Sequence, residues 1–499
     1  MTGRAGAGLL ERARRLPLAT VLGAAGALYL LPLHGRLLDF QDSSAYLLLA
    51  RSLASGQGFS ALHAPGSPPE LNYPPLFPAL LAPIVALSGD LRALKLVGIA
   101  SSLATIAVVS LWLRRLTSPR VALFGAAYLA LSPQLLLSSH EILSEPVFTL
   151  LAAIALWQAT RPEPNGWLVG AACAAACLTR KVGGVFIPCI ALCWVLERET
   201  RRAWRRTLLP LLVLGLGPVM LWALRERLHG VPPDHVQHFA SSVAAPSGTY
   251  FPHLWHHVQV YAPTLASLAV PQTTRLVIAE RALSVLPLLL VALGLASALR
   301  RRLGVLVLVL AAWVGTFLLW PWAAERFMLP MLPVLVVALM LLPPPGRLGQ
   351  ALWIALGVAT IAQVPETVQL ALAMRGEQTL PFYGVDYVPG VERARAVLPA
   401  DALVCAPEPR FVTYATGRPS IECAVYLAPA DAIPGLLRQS GASHYIHDPT
   451  FLRAYLGQPA EDPALRAPQC FVRVLQQGGF VLHRIAEACR APARGRDPA

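Results

Sequence analysis

The sequence predicts a polytopic α-helical membrane protein with about 11 transmembrane helices and a small C-terminal α/β domain. Its 499 residues are 55% hydrophobic and only 14% charged, whereas an average soluble domain has roughly 25% charged residues. Apolar runs recur along residues 1–366, and the arginines cluster between them. Because such basic clusters are typical of cytoplasmic loops, the net charge of +14 indicates a membrane protein and no nucleic-acid partner.

Eleven apolar runs are predicted to span the membrane, since a spanning helix needs about 20 apolar residues. These runs are 16–34, 93–113, 121–139, 146–160, 166–179, 183–197, 207–224, 279–299, 303–320, 327–343 and 350–366. The basic start of the chain also fits a cleaved signal peptide. No convincing small-residue cleavage site follows the first run, so we interpret it as an uncleaved span.

The basic loops predict the orientation of the spans. With the N-terminus in the cytoplasm, the arginine-rich loops 113–120, 197–206 and 299–304 all fall on the cytoplasmic side. Arg225 and Arg227 fall on the other side, against this trend. The protein is therefore predicted to be a multi-pass protein of the inner (plasma) membrane.

The same orientation predicts which loops lie outside. They are a long first loop at 35–92, the turns near 138–146, 180–182 and 321–326, the loop 225–278, and everything from 367 onward. In the first loop, "YPPLFPALLAPIVAL" at 73–87 is too short and too rich in proline for a span. It predicts an interfacial or re-entrant helix.

The C-terminal residues change character. "DALVCAPEP", "ASHYIHD" and "CFVRVLQQGGFVLHRI" are typical of strands, and "GVERARAVLPA" and "PADAIPGLLRQSGA" are typical of helices. Residues 383–490 are therefore predicted to form a small soluble extracytoplasmic α/β domain, separate from a transmembrane domain at 1–366. The last residues, 491–499, are predicted to be disordered.

Eight cysteines fall into two groups. One group lies in apolar runs and is interpreted as small packing residues: Cys173, Cys177, Cys189 and Cys193. The other lies in the polar C-terminal region: Cys405, Cys423, Cys470 and Cys489. Outside the cell the second group can form up to two disulfides, although the sequence leaves free thiols open and does not define the pairing.

Two acids, Asp39 and Asp42, directly follow the first span in "LLDFQDSSAYLLLARSLASGQGF". Residues 43–54 predict a helix with Asp42 at the N-cap, where its carboxylate accepts backbone N–H groups. This position is explained by capping alone. It also holds an ionised carboxylate in one direction, which suits a catalytic base.

A second group of ionisable residues lies in "SSHEILSEPVF" at 138–148. His140, Glu141 and Glu145 are crowded at the outer junction of two spans, and the two glutamates share a face if the turn is helical. Charged residues are ordinary at a membrane boundary. Three within six residues, next to apolar runs, also suggest a functional site.

Cations lie on the same predicted outer side. Arg180 and Lys181, in "CLTRKVGG", either extend toward lipid headgroups or bind an anionic phosphate. Glu325 and Arg326, in "WPWAAERFMLPMLP", either pair with each other or face the outer acids. Both pairs are candidates for an anion site.

Six histidines fall within one predicted outer loop: His229, His235, His238, His253, His256 and His257. The last three have the i, i+3, i+4 spacing of a helix face, so a divalent metal site is possible. No acid accompanies them at a recognisable spacing, and no metal ligands are assigned. Walker, dinucleotide-binding GxGxxG and GxSxG motifs are absent from the sequence, which disfavours a nucleotide-driven pump or kinase.

Five stretches occur in an order that resembles the GT-C glycosyltransferases. They are "DFQDSSAYLLLARSLASGQGF", "NYPPLFPALLAPIVALSGD", "LSEP", "LTR" and "ERFMLPMLP". The likeness is to the bacterial branch that includes the lipid A aminoarabinose transferase and protein O-mannosyltransferases. It covers residues 16–345; the C-terminal region matches only in general layout.

This resemblance implies an enzyme that transfers a sugar from a polyprenyl-phosphate donor to a glycan, lipid or protein acceptor outside the membrane. It implies a first-loop acid as base, which maps onto Asp42 with Tyr46 in support; Asp39 remains the alternative. The second acidic position maps onto Glu141 or Glu145. Arg180, Lys181 and Arg326 are the candidate cations for the departing lipid phosphate, with His140 and Glu325 in supporting positions.

Two other functions remain open from the sequence. A transporter or flippase of lipid-linked envelope precursors would place ionisable groups near mid-bilayer and show inverted repeats. A catalytically inactive relative that scaffolds envelope assembly is the other alternative, because the adjacent acids common in this family are replaced here by Gln41 before Asp42.

Overall fold

A computed structural model describes residues 3–38, 41–229, 247–269, 277–320, 323–342, 347–375, 386–456 and 461–490. The chain divides into two compact units. The first comprises Met1–Gly35, Leu71–Phe77 and Asp90–Glu377, and the second comprises Arg36–Glu70, Pro78–Gly89 and Gln378–Ala499. Most of the first predicted outer loop therefore groups with the C-terminal residues. The predicted boundaries at 366 and 383 stay predictions, and the tail at 491–499 lies outside the described residues.

The first unit is helical throughout its described residues. Its helices are α1 (Gly3–Leu30), α4 (Leu91–Leu116), α5 (Pro119–Ala130), α6 (Pro133–His140), α7 (Glu145–Ala159), α8 (Gly166–Thr179), α9 (Phe186–Leu196), α10 (Arg198–Arg202), α11 (Leu208–Leu228), α12 (Ser247–Ala269), α13 (Val277–Arg300), α14 (Gly304–Leu318), α15 (Leu332–Met340) and α16 (Arg347–Arg375). Helix α12 lies in the predicted outer loop 225–278, where the sequence indicated helical spacing only for His253, His256 and His257.

Three described helices are long and apolar enough to cross a membrane by themselves: Leu91–Leu116, Leu208–Leu228 and Leu352–Arg375. A fourth candidate is the pair α5 and α6, which bends by 52° at its break. Seven further apolar stretches have 10–17 helical residues. All of them coincide with predicted spans except Leu76–Leu87. The count of eleven spans stays a prediction.

Proline and serine explain the break between α5 and α6, which were predicted as one span. Pro133 has no N–H to donate and starts a new helix readily. The Ser132 side chain caps that helix by accepting from the Leu135 backbone N–H. The sequence "LSP" therefore ends one helix and begins another inside a single apolar run.

Small residues allow close helix packing in the first unit. A Cβ at Gly98 of α4 would lie 2.6 Å from the Ser139 carbonyl oxygen of α6, and one at Gly170 of α8 would lie 2.7 Å from the Pro210 oxygen of α11. Contacts this close require glycine. Backbone approach through small residues is a common way to associate helices in membranes, where lipid offers no hydrophobic driving force.

Two of the predicted spans in the first unit begin with a 3-10 turn before their α-helix. The turn Lys181–Val185 precedes α9, and the turn Glu325–Met331 precedes α15. In a 3-10 turn the side chains three residues apart eclipse one another, and the chain rises further per residue than in an α-helix. Arg180 and Arg326, two of the predicted phosphate-binding cations, lie at the starts of these two turns.

The second unit begins with α2 (Gln41–Ala54), and α3 (Leu76–Leu87) crosses the division between the units. Its C-terminal helices are α17 (Tyr387–Val397), α18 (Pro409–Thr416), α19 (Ile433–Ser440), α20 (Pro449–Leu456) and α21 (Pro463–Arg466). Its strands are β1 (Val404–Cys405), β2 (Ser420–Ile421), β3 (His444–His447), β4 (Phe471–Gln477) and β5 (Phe480–Ile485). The short helix predicted at 73–87 is present as α3.

The five strands form one mixed sheet in the order β2-β1-β3-β5-β4. Strand β1 pairs in parallel with β2 and β3, whereas β5 pairs antiparallel with β3 and β4. Two of the predicted strand segments contain β1 and β3, the third contains both β4 and β5, and β2 was not predicted. One apolar cluster includes Val404, Ile446 and Leu482, and the other includes Cys405, Tyr445 and Ile485. Alternate residues of the central strands therefore supply the two clusters.

Two disulfides join the cysteines of the C-terminal region: Cys405–Cys423 and Cys470–Cys489. Their Cα–Cα separations are 5.7 and 5.4 Å, within the usual range for a disulfide. Disulfides persist in oxidising compartments. The pairing that the sequence left open thus joins consecutive cysteines along this region, and its extracytoplasmic position stays a prediction.

Candidate active site

The feature that stands out in the first unit is a buried glutamate, Glu145, with two arginines beside it. Its side chain is 1% exposed, and its Oε1 atom lies 2.6 Å from Arg180 Nη1 and 3.7 Å from Arg326 Nε. A carboxylate buried to this degree is strongly destabilised unless it is paired. The two guanidinium groups supply that pairing.

Local sequence explains why Glu145 points into this cluster. Helix α6 ends at His140, and Glu141 follows in an extended conformation (φ −82°, ψ 140°). Helix α7 then begins at Glu145, with Pro146 in its first turn, where proline costs no hydrogen bond. The Glu145 carboxylate therefore lies at the positive end of the α7 dipole, which stabilises its charge.

Arg180 lies where α8 ends and the 3-10 turn begins, 35 residues after Glu145. Its Nη1 also donates to Ser144 Oγ at 3.2 Å. Its Cζ atom is 5.6 Å from the centre of the Phe327 ring, and Arg326 Cζ is 5.9 Å from the same ring. Phe327 therefore lies beside both cations, which suits a cation–π contact.

A second ion pair involves the next residue, Lys181. Its Nζ lies 2.7 Å from Glu226 Oε1 and donates to the Leu71 carbonyl oxygen at 2.9 Å. Glu226 is near the end of α11, between the two arginines that oppose the basic-loop trend. The Lys181 ammonium group thus joins α11 to the first-loop segment that enters α3.

The other predicted acids have different surroundings. Glu141 is half-buried and close enough to Lys95 of α4 for an electrostatic interaction. Residues 141–144, between α6 and α7, are not helical, so Glu141 and Glu145 do not share a helix face. Glu325 is exposed at the start of its 3-10 turn.

His140 has a structural contact. It is fully buried, and its Nε2–H donates to the Tyr29 carbonyl oxygen at 2.8 Å. This bond fixes the end of α6 to the end of α1. Lys95 Nζ lies 3.3 Å from each of the two ring nitrogens of His34.

Of the two predicted first-loop aspartates, Asp42 is the one that the structure describes, and it belongs to the second unit. Helix α2 begins at Gln41 rather than Ser43, so Asp42 lies in its first turn and the predicted N-cap position is wrong. The physical effect is similar, because first-turn carboxylates also face unpaired N–H groups. Asp42 is half-buried, Tyr46 one turn later is 4% exposed, and Asp39 lies outside the described residues.

The structure describes some of the histidines of the predicted loop 225–278 and leaves others outside the described residues. His253, His256 and His257 lie on α12, as their spacing predicts, and His253 Nε2–H donates to the Trp320 carbonyl oxygen. His235 and His238 lie outside the described residues. Within the described ranges, no three His, Cys, Asp or Glu side chains are grouped to hold a metal ion. A divalent metal stays a prediction.

Several residues of these clusters were not predicted. Glu226, Ser144 and Phe327 each contact a predicted residue. Lys95 interacts electrostatically with Glu141, and its Nζ contacts His34. A signal existed for Glu226, since an acid between two outward arginines suggests a local ion pair. No sequence signal identifies its partner 45 residues earlier in the chain.

Comparison with known proteins gives one family match. Residues 72–223 match the sequence profile described as dolichyl-phosphate-mannose-protein mannosyltransferase. This segment contains "LSEP" and "LTR", hence Glu145 and Arg180. No curated protein matches the full sequence.

Solved structures match almost the whole chain. ArnT from Cupriavidus metallidurans, in its crystal structure bound to undecaprenyl phosphate, gives a TM-score of 0.57 at 15% identity, over 95% of this chain and 99% of ArnT. The Archaeoglobus fulgidus oligosaccharyltransferase tethered to an acceptor peptide gives 0.53 at 11% identity, over 96% and 75% of the two chains.

A third match is the arabinofuranosyltransferase AftD from Mycobacteria. It gives a TM-score of 0.51 at 15% identity over 94% of this chain, but only 41% of AftD is covered. All three structures are GT-C glycosyltransferases. This chain therefore has the polytopic helical membrane fold of the GT-C glycosyltransferases, and its residues 72–223 match the dolichyl-phosphate-mannose-protein mannosyltransferase family.

Proposed function

We propose that this protein is a membrane glycosyltransferase that moves a sugar from a polyprenyl-phosphate donor to an acceptor on the extracytoplasmic side, with inversion. One observation carries the proposal. Three short motifs, "LSEP", "LTR" and "ERF", converge on one cluster, in which the partly exposed Arg180 and Arg326 both lie beside the buried Glu145. Two cations on a GT-C fold are suited to a lipid phosphate, and the matched ArnT structure holds undecaprenyl phosphate.

The reaction assigns a role to each group. A lone pair of the acceptor hydroxyl attacks the anomeric carbon while the bond from that carbon to the phosphate oxygen breaks. The electron pair of that bond leaves with the phosphate, whose growing negative charge Arg180 and Arg326 stabilise. The hydroxyl proton passes to a carboxylate, for which we propose Asp42, with Asp39 and Glu141 as alternatives.

Glu145 has a different role in this proposal. A carboxylate that is 1% exposed and 2.6 Å from a guanidinium nitrogen is a poor proton acceptor, because protonation would leave the arginine without its partner. Glu145 instead orients Arg180 and Arg326 toward the leaving group. Lys181, paired with Glu226, supports the turn that carries Arg180.

The function is tested with purified full-length protein in liposomes. Undecaprenyl-phosphate-linked sugars serve as donors, membrane extracts supply acceptors, and the release of undecaprenyl phosphate is measured. We expect release that depends on both donor and acceptor. Movement of the intact donor between leaflets without release would instead indicate a flippase, and neither activity would indicate a scaffold.

The turn that carries Arg180 and Lys181 gives a separate prediction. A Cβ at Gly183 would lie 2.8 Å from the backbone of Ala176 and Cys177, whereas one at Gly184 meets nothing within 4 Å. We expect Gly183→Ala to shift the turn and lower sugar transfer about 10- to 100-fold, since a displacement of about 1 Å is enough for such a loss.

Gly184→Ala is the matched control, because it makes the same change one residue later in open space. It is expected to transfer sugar like the wild type. Transfer rates and protein yield in membranes are compared for both variants. Equal activity of the two variants would show that the close packing of this turn does not position the cations.

A further inference from the structure

Helix α2, which carries Asp42, packs against α18 of the C-terminal region, and both helices belong to the second unit. We propose that α18 positions α2, and with it the candidate base, and that the Cys405–Cys423 disulfide holds α18 in place. This inference rests on the proposed function, because it assigns positioning residues for that reaction. It gives the C-terminal region a part in positioning the candidate base.

Side chains of α18 lie beside α2 at two places. The Arg51 guanidinium, in the last turn of α2, lies 4.4 Å from the centre of the Tyr414 ring. Arg410 lines a small cavity together with Ala45 and Leu48 of α2. Ala45 is one helical turn from Asp42, so a shift of α18 at this contact would move the carboxylate.

The loop that follows α2 is joined to the same region. The Ser420 backbone N–H, at the start of β2, donates to the His63 carbonyl oxygen at 2.8 Å. Strand β2 is at one edge of the sheet, so His63 pairs with a backbone group that an edge strand would otherwise leave exposed. Helix α2 and the loop after it are thus fixed by neighbouring parts of residues 410–420.

The Cys405–Cys423 disulfide encloses these parts. Cys405 belongs to β1, and Cys423 follows β2 by two residues, so the closed loop contains both α18 and Ser420. A disulfide restricts the conformations of the loop that it closes. The second disulfide, Cys470–Cys489, encloses the β4–β5 hairpin instead. It is therefore a matched control of nearly equal loop length, 19 against 18 residues.

The test compares two double variants of the full-length protein in liposomes, Cys405→Ser with Cys423→Ser, and Cys470→Ser with Cys489→Ser. Folding is checked by size-exclusion chromatography and by thermal unfolding, and transfer is measured well below each unfolding midpoint. We expect the first variant to lose about 10-fold or more in kcat, with KM for the lipid donor changed by less than about 2-fold. The second variant is expected to retain the wild-type kcat.

Single substitutions at Tyr414 provide a test that leaves both disulfides intact. Tyr414→Leu removes the ring beside Arg51 and is expected to lower kcat, whereas Tyr414→Phe retains the ring and the activity. If the wild type is active and both Tyr414→Leu and the Cys405/Cys423 variant match it in kcat, the positioning role is wrong. An inactive wild type would overturn the proposed function, and this inference with it.

Discussion

Replacing Asp42 with asparagine is expected to lower sugar transfer by about 10²- to 10⁴-fold, the usual contribution of a general base. Asparagine has the same shape and still accepts a hydrogen bond, but it cannot take the proton of the acceptor hydroxyl. The loss should therefore appear in kcat while KM for the lipid donor stays near the wild-type value. Transfer is measured as the release of undecaprenyl phosphate from a donor on which the wild type is active.

A suitable control is Asp90→Asn, because Asp90 is also an acid at the start of a helix on the predicted outer side. It caps α4, accepting from the Arg92 backbone N–H at 2.9 Å, and it is exposed. The asparagine variant keeps that cap and should transfer like the wild type. Asp39→Asn and Glu141→Gln, measured beside it, identify the base. If Asp39→Asn or Glu141→Gln loses activity and Asp42→Asn does not, the residue replaced in the inactive variant is the base.

The positions of most helices could be predicted from the apolar runs, because in a membrane a backbone run must satisfy its own hydrogen bonds and does so as a helix. The breaks inside those runs were harder to predict. Ser132 and Pro133 interrupt an apolar run that was predicted as one span. Capping by a side chain and the missing proline N–H act locally and do not lower the hydropathy of the run, so hydropathy does not indicate the break. Conversely, α12 runs for 23 residues and contains Pro252 and Pro263, whereas the sequence indicated helical spacing only across its histidines.

The sequence identified which residues belong to the candidate site, but it did not predict how their side chains pair in space. Arg180, Glu145 and Arg326 could be identified because charged groups beside apolar runs are costly without a partner. Their pairing depends on how α7, α8 and the turn before α15 pack, which a single sequence does not specify. The same holds for Lys181 and Glu226, whose attraction acts only once α8 and α11 lie side by side.

The grouping of the first loop with the C-terminal residues was also not predictable. From the sequence, helix α2 is assigned to the membrane domain because it directly follows the first predicted span. Its contacts with α18 come from residues more than 350 positions later, such as Tyr414 beside Arg51. Local patterns carry no information on such a contact, since both partners look like ordinary surface residues in sequence.

The role of Glu145 leads to the second large effect. Arg180→Ala is expected to lower transfer about 10²- to 10³-fold, because it removes a cation that stabilises the leaving phosphate, an effect comparable to losing an oxyanion-hole donor. It should also weaken the binding of undecaprenyl phosphate, used alone as a probe. Arg301→Ala is the control. Arg301 donates to the Leu116 carbonyl oxygen on the predicted cytoplasmic side, so transfer should be unaffected.

A double-mutant cycle separates a base from a positioning carboxylate at Glu145. Glu145→Gln alone should weaken undecaprenyl phosphate binding and lower transfer, because Arg180 and Arg326 lose the group that orients them. In the Arg180→Ala background the same substitution should have a much smaller effect, since residues that act through one another are strongly non-additive. If Glu145 were the base, its effect on kcat would multiply with that of Arg180→Ala and phosphate binding would not change. That outcome would identify Glu145 as a catalytic carboxylate, and Asp42 would no longer be the sole base.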